Sequence, residues 1–142
     1  DVIQVVYSLL NREATRLIKD VGENGIGVVA RESLANGFLS WTITKDTVFP
    51  PNNLNSRYSR EEIAERVDQV QRLSFLVRGG IKSMPQAAMR WVLDNPRVSL
   101  VLTGAKNSSE LQDCVAAVDG QSYTAEELAR ADKVHTKDFQ AA

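Results

Sequence analysis

Cysteine and histidine are almost absent from this 142-residue chain, which holds one of each. The single thiol, Cys114, forms no internal disulfide and suits a reducing, cytoplasmic setting, and the single imidazole, His135, makes no metal site by itself. An excess of one charge is missing too. Basic residues number 17 and acidic residues 18, the formal net charge is -1, and the basic side chains are scattered. The electrostatic stripe that nucleic acid binding needs is therefore not expected. No apolar run approaches the roughly 20 residues that span a bilayer, and no basic-then-apolar leader opens the chain, so it reads as a soluble protein without a membrane partner. Internal repeats and low-complexity segments are also lacking.

What is present is a hydrophobic content of 43%, enough for a sizeable core in one domain. Val2 to Tyr7 is β-branched and apolar apart from Gln4, which predicts a strand buried in a parallel sheet with one amide inside it. Asn11 and Arg12 begin a predicted helix with Leu17, Ile18 and Val21 on one face, stopped by Gly22 to Gly25. Ile26 to Arg31 reads as a second strand. About 18 residues separate the two strands, which suits a right-handed parallel crossover. The stretch from Arg31 to Tyr58, with two adjacent prolines and three asparagines in its part after Ser40, is too long for a plain connector and reads as a binding loop or a disordered insertion. Ser59 to Glu62 is a capping box, followed by Ile63, Val67, Val70, Leu73 and Val77 at helical spacing up to Gly79-Gly80. A second box, Ser83 to Gln86, opens a helix with Ala87, Ala88, Trp91 and Val92 inward, closed at Asp94-Asn95-Pro96.

The stretch from Val98 to Ala117 is the most informative. An uncharged apolar run ends in Gly104, and a cluster of capping residues then opens a helix whose apolar positions are Leu111, Cys114, Val115 and Val118. Strand, tight turn and helix N-terminus together direct free backbone N–H groups and the positive end of the helix dipole at the turn, where a phosphate can sit. Thr124 to Glu127 caps a last helix with Leu128, Ala131 and Val134, before a polar tail. Three parallel strands that are apolar on both faces make an incomplete sheet with two exposed edges. A (β/α)8 barrel repeats such units and binds ligands at the strand C-termini, often with a phosphate site after its last two strands. The expected fold is therefore α/β, the C-terminal arc of a TIM (β/α)8 barrel, with residues 1–142 as a single partial domain. Starting at Asp1 and entering a strand at once, the chain reads as a piece of something longer.

Three motifs, in order, carry a resemblance: Gln4-Val-Val-Tyr-Ser, Gly27-Val-Val-Ala-Arg-Glu-Ser-Leu-Ala-Asn-Gly-Phe-Leu and Val101-Leu-Thr-Gly-Ala-Lys-Asn-Ser-Ser-Glu-Leu-Gln-Asp. The helix beginning Pro85-Gln-Ala-Ala-Met-Arg-Trp and the ending His-Thr-Lys-Asp-Phe add to it. Together they make the chain similar to the C-terminal portion of an aldo-keto reductase. The resemblance implies a barrel that binds a nicotinamide dinucleotide, usually NADP(H), and reduces aldehydes and ketones. It matches Gln4 to the amide that holds the nicotinamide carboxamide and Arg31 to the group lying on the nicotinamide ring, where a guanidinium can stack. It matches Glu32, Ser33, Leu34, Ala35 and Gly37 to the loop beside the pyrophosphate, and Arg57 to a basic residue folded over the phosphates. Gly104, Ala105, Lys106, Glu110, Asp113 and Cys114 match the adenosine-phosphate and adenine positions.

Three departures bear on the chemistry. Glu32-Ser33 stands where Ser-Pro is common, Glu110 where Gln or Arg is common, and Cys114 where Asn is common. A carboxylate repels a phosphate, so Glu110 leaves NAD(H) open as the cofactor if Lys106 does not reach a 2′-phosphate. The resemblance also implies a catalytic Asp, Tyr, Lys and His on earlier strands, and no stretch here matches them. Without the resemblance, the same residues have plainer readings. Gln4 is then a buried amide satisfied by backbone, Arg31 a strand-end charge, Lys106 and Asn107 helix-capping residues, Cys114 a small core residue, and His135 a solvated helix residue. Two functions follow: part of an NAD(P)H-dependent carbonyl reductase, or a stand-alone half-barrel that self-associates through its open sheet edges as a binding or structural module.

Overall fold

A computed structural model describes residues 1–139, with side chains through His135; residues 140–142, the end of the tail, lie outside the described residues. Three parallel strands form one sheet in the order β1 (Val2–Val6), β2 (Gly27–Arg31), β3 (Leu100–Val101). β1 and β2 pair along their full length, Val2 with Gly27 through Val6 with Arg31, whereas β3 is joined only at Val29–Leu100 and Ala30–Val101. The apolar run after Pro96 thus yields a much shorter ladder than its composition suggests. The crossovers are α1 (Thr15–Glu23), α2 (Arg60–Arg72) and α3 (Met84–Leu93), followed by α4 (Ser108–Val115) and α5 (Ala125–Phe139).

The capping signals act as expected. Ser59 Oγ accepts the Glu62 N–H while Glu62 Oε2 accepts the Ser59 N–H, and Thr124 and Glu127 repeat the exchange at α5. Ser83 Oγ accepts the Gln86 N–H at α3, but the Gln86 side-chain oxygen Oε1 accepts the Lys82 N–H in place of the cap's own. α1 begins at Thr15, later than expected. Arg12 instead stacks on Trp91 at 4.5 Å and pairs with Asp132, bringing α5 onto the end of β1. α2 stops at Leu73 although helical spacing runs on to Val77. A 3-10 turn, Ser74–Leu76, follows, and the Leu76 carbonyl is taken by the phenol of Tyr123 at 2.8 Å.

Only one face of the sheet is covered, which corrects the expectation of strands buried on both faces. Val28 and Ala30 are fully buried under the helices, with Ile3, Val5 and Val101 packed on the same core. The opposite face carries Val2, Gln4, Val6, Val29, Arg31 and Leu100 by strand alternation. Val2 is 67% exposed and Leu100 51%. Gln4 is therefore exposed, not a buried amide. The helix expected to bury Leu111, Cys114, Val115 and Val118 buries only Cys114, because its outward side has no neighbour among the described residues. His135 is half-buried, not solvated, and burial pushes its pKa down, as does the nearby Arg12.

Candidate cofactor site

The residues after β2 and after β3 meet at the C-terminal end of the sheet. After Arg31 the chain passes through left-handed backbone at Glu32, Ala35 and Asn36, with φ of 55°, 50° and 53°, and at Gly37, with φ of 94°. Four such residues within six fold the segment into a tight knob, and at Gly37 a side chain would be strained whatever space surrounds it. After β3, Leu102 to Asn107 leads into α4, whose N-cap Asn107 accepts the Glu110 N–H at 2.9 Å.

Between knob and α4 lies a cleft of about 610 Å³. It brings together Glu32, Ser33, Leu34 and Gly37 from the second motif with Gly104, Lys106, Glu110, Asp113 and Cys114 from the third. Its apolar lining is Leu34, Met89 and Cys114, which pack with Ala117 and Val101 in a small cluster behind it. Cys114 is thus both a core residue and part of the lining. Asn36, within the matched loop, also lines the cleft, and Ser40, Thr42, Pro85, Met89, Leu102 and Thr103 complete the walls and were not singled out from the sequence. Pro85 and Met89, four apart on α3, carried a detectable signal, being one helical face beside the apolar positions already noted.

Several matched side chains are already engaged. The carboxylate of Asp113 accepts Ser83 Oγ and Gln86 Nε2, both at 2.6 Å, which ties α4 to the start of α3. Glu110 Oε2 accepts the Lys106 N–H at 2.8 Å, placing a carboxylate at the helix N-terminus where an outside anion would otherwise bind. The Lys106 ammonium makes no ion pair among the described residues. Ser33 is buried and donates to the Tyr7 carbonyl at 3.3 Å, closing β2 onto β1.

The other matched residues lie outside this cleft. Gln4 and Arg31 project from the uncovered sheet face, since Gln4 pairs with Val29 and Arg31 with Val6. Arg31 Nη1 pairs with Glu32 Oε1 at 2.5 Å. Ala35 and Arg57 line a second cleft of about 560 Å³ on the far side of the knob, with Glu32 and Asn36 shared between the two. Arg57 rests 4.9 Å from the Tyr58 ring and donates to its hydroxyl at 3.0 Å. Ala105 lines neither cleft. Among the described residues no group of acids, cysteine and histidine could hold a metal ion, and no helix is long and apolar enough to cross a membrane.

The sequence matches the Aldo/keto reductase family over residues 1–136. The chain belongs to that family. It is 28% identical over 138 residues to the L-glyceraldehyde 3-phosphate reductase of Escherichia coli, covering 92% of this chain and 40% of that protein. It is 29% identical over 121 residues to the NADH-specific methylglyoxal reductase of Escherichia coli, covering 84% of this chain and 37% of that one. Among solved structures it superposes on a glycerol dehydrogenase from Gluconobacter oxydans with a TM-score of 0.88 and 25% identity, covering 99% of this chain and 44% of the other. An aldo-keto reductase from Bacillus halodurans in its holo form gives a TM-score of 0.66 at 26% identity, over 94% of this chain and 42% of that one. The chain thus spans about two fifths of its relatives' length. Its three β/α units form a partial barrel of the TIM-barrel aldo-keto reductase fold, and the uncovered sheet face corresponds to the inner wall of such a barrel.

Proposed function

We propose that the chain is the cofactor-holding, C-terminal part of an NAD(P)H-dependent aldo-keto reductase acting on aldehydes or ketones in the cytoplasm. The observation that carries this reading is the cleft itself, in which two motifs separated by some seventy positions of sequence form facing walls at the strand C-termini. The nicotinamide end would lie on the open sheet face against Gln4 and Arg31. The dinucleotide would then pass over the Glu32 to Gly37 knob and settle its adenosine end between Lys106 and Cys114. A dinucleotide bound there would supply hydride to a carbonyl carbon. The chain's own residues bind and orient it: Gln4 offers its amide, Arg31 a flat face, Lys106 a cation, and Met89 and Leu34 an apolar lining.

The donor set fits a dinucleotide, and NADP(H) remains the family expectation. Glu110 opposes a further phosphate near α4 and leaves NAD(H) as the other cofactor. The proton-transferring Asp, Tyr, Lys and His would come from β/α units that this chain does not include, so it is not expected to turn over alone.

Titration of NADPH and of NADH with the purified chain, following cofactor fluorescence, tests the site. Saturable binding is expected, and a flat response up to millimolar cofactor would remove the reading. Carbonyl reduction by the chain should stay at background; measurable turnover would overturn the assignment of proton transfer to residues outside it. A second reading, a half-barrel that self-associates, is favoured by the exposed apolar residues Leu100, Leu102, Leu111, Val115 and Val118. It calls for a discrete oligomer by light scattering, and a stable monomer would count against it.

A further inference from the structure

We propose that Glu32 is a positioning residue for Arg31, fixing its guanidinium at the open sheet face and cancelling its charge, so that the nicotinamide ring meets a flat, near-neutral surface. The inference rests on the reading of Gln4 and Arg31 as the nicotinamide end of the site. Arg31 ends the central strand on the uncovered face, where an arginine side chain has many rotamers available. Here one rotamer is held. Its Nη1 lies 2.5 Å from Glu32 Oε1, and the other oxygen of the same carboxylate accepts Asn36 Nδ2 at 3.3 Å. The Asn36 carbonyl accepts in turn from Nδ2 of Asn55, a buried residue of the long loop. A hydrogen-bonded series Asn55–Asn36–Glu32–Arg31 thus runs from the long loop to the guanidinium.

Backbone strain marks the same residues. Glu32 and Asn36 both sit in the left-handed region, with φ of 55° and 53°. Such conformations cost a non-glycine residue free energy and persist where the surroundings over-determine them. Turning the chain this way at Glu32 is what brings its carboxylate back onto the preceding residue.

Charge supplies the function. The oxidised nicotinamide ring is a cation and the reduced ring is neutral. A bare guanidinium stacked on the ring would repel the oxidised form and leave the reduced form nearly untouched, biasing the site toward one redox state of its cofactor. The Glu32 carboxylate, within hydrogen-bond distance of the guanidinium, removes that bias while leaving the planar face available for stacking.

The test compares dissociation constants for NADH and NAD+ by titration calorimetry at one ionic strength, in the wild-type protein and in the Glu32→Gln, Arg31→Gln and doubly substituted proteins. Glu32→Gln should weaken the oxidised form relative to the reduced form by roughly tenfold, the size expected for one uncompensated charge a few ångströms away at a half-exposed site. Arg31→Gln leaves the carboxylate alone and should shift the ratio the opposite way. The double substitution should return it to within about twofold of wild type, as coupled residues do. Arg31→Gln leaves the left-handed turn intact, so it decides the matter if Glu32→Gln does not fold. Unchanged ratios in proteins that still bind both forms would overturn the role of Glu32 and leave the cofactor site standing. No binding of either form to the wild-type protein would overturn both.

Discussion

At the N-terminus of α4, Glu110 accepts the backbone N–H of Lys106 at 2.8 Å, so an anion supplied by the chain holds part of the site. A phosphate approaching the same turn meets that carboxylate before it meets the helix dipole. Glu110→Gln keeps an acceptor for the amide and removes the charge. The expected outcome is severalfold tighter binding of NADPH relative to NADH, read from fluorescence titrations of the two cofactors. Matching Gln4 and Lys106 to cofactor positions is an expectation that residue type and spacing within the motifs carry, whereas Cys114 departs from the family pattern and is matched by its position after the third motif alone. The surroundings of these residues were not legible in the sequence. Nothing in a linear string says that Asp113 spends both oxygens on Ser83 and Gln86, or that Gln4 faces open space, since both depend on what packs across from them.

Among the elements, the boxed starts of α2 and α5 were legible, whereas the start of α1 and the end of α2 were not. The Ser59 and Thr124 boxes are local hydrogen-bond exchanges, encoded within four residues. The 3-10 turn after α2 is tied to Tyr123, whose hydroxyl donates to the Leu76 carbonyl across 47 positions. The same region is clamped by Arg78, which donates Nε and Nη2 to the two oxygens of Glu127 at 2.6 Å each. That bidentate pair, with the capping N–H of Thr124, lowers the Glu127 pKa from 4.5 to about 2. A carboxyl depressed on folding contributes stability that is complete above its unfolded pKa and lost as pH falls through the folded one. Glu127→Gln should therefore cost about 1–2 kcal/mol near neutral pH, allowing for partial solvent screening, and progressively less from pH 5 toward pH 2. Denaturant unfolding of both proteins across that range measures it.

For the whole molecule, the parallel α/β class and the order of units could be read from periodicity, while the burial of the two sheet faces could not. An apolar strand looks the same whether one of its faces or both are covered. The bare inner face, the β3 edge and the outer side of α4 form surface that a closed barrel would bury. If the half-barrel self-associates through this surface, replacing Leu111 and Val115 with aspartate should reduce that association in sedimentation velocity and change stability by less than about 0.5 kcal/mol, because both residues are exposed. Leu73→Ala, in the fully buried core, should instead cost roughly 2–5 kcal/mol on chemical denaturation.

Strand β3 is held at two register positions, yet it carries the turn with Gly104 and Lys106. Its amides are expected to exchange with deuterated solvent faster than those of Val28 to Ala30 in the central strand. A further strand laid against β3 would steady that turn. By thermodynamic reciprocity, a ligand gripping the turn would draw the further strand in to the same degree. On the proposed reading, the edge that would complete a ring and the loop that would grip a cofactor are two handles on one equilibrium, and pulling either would move the other.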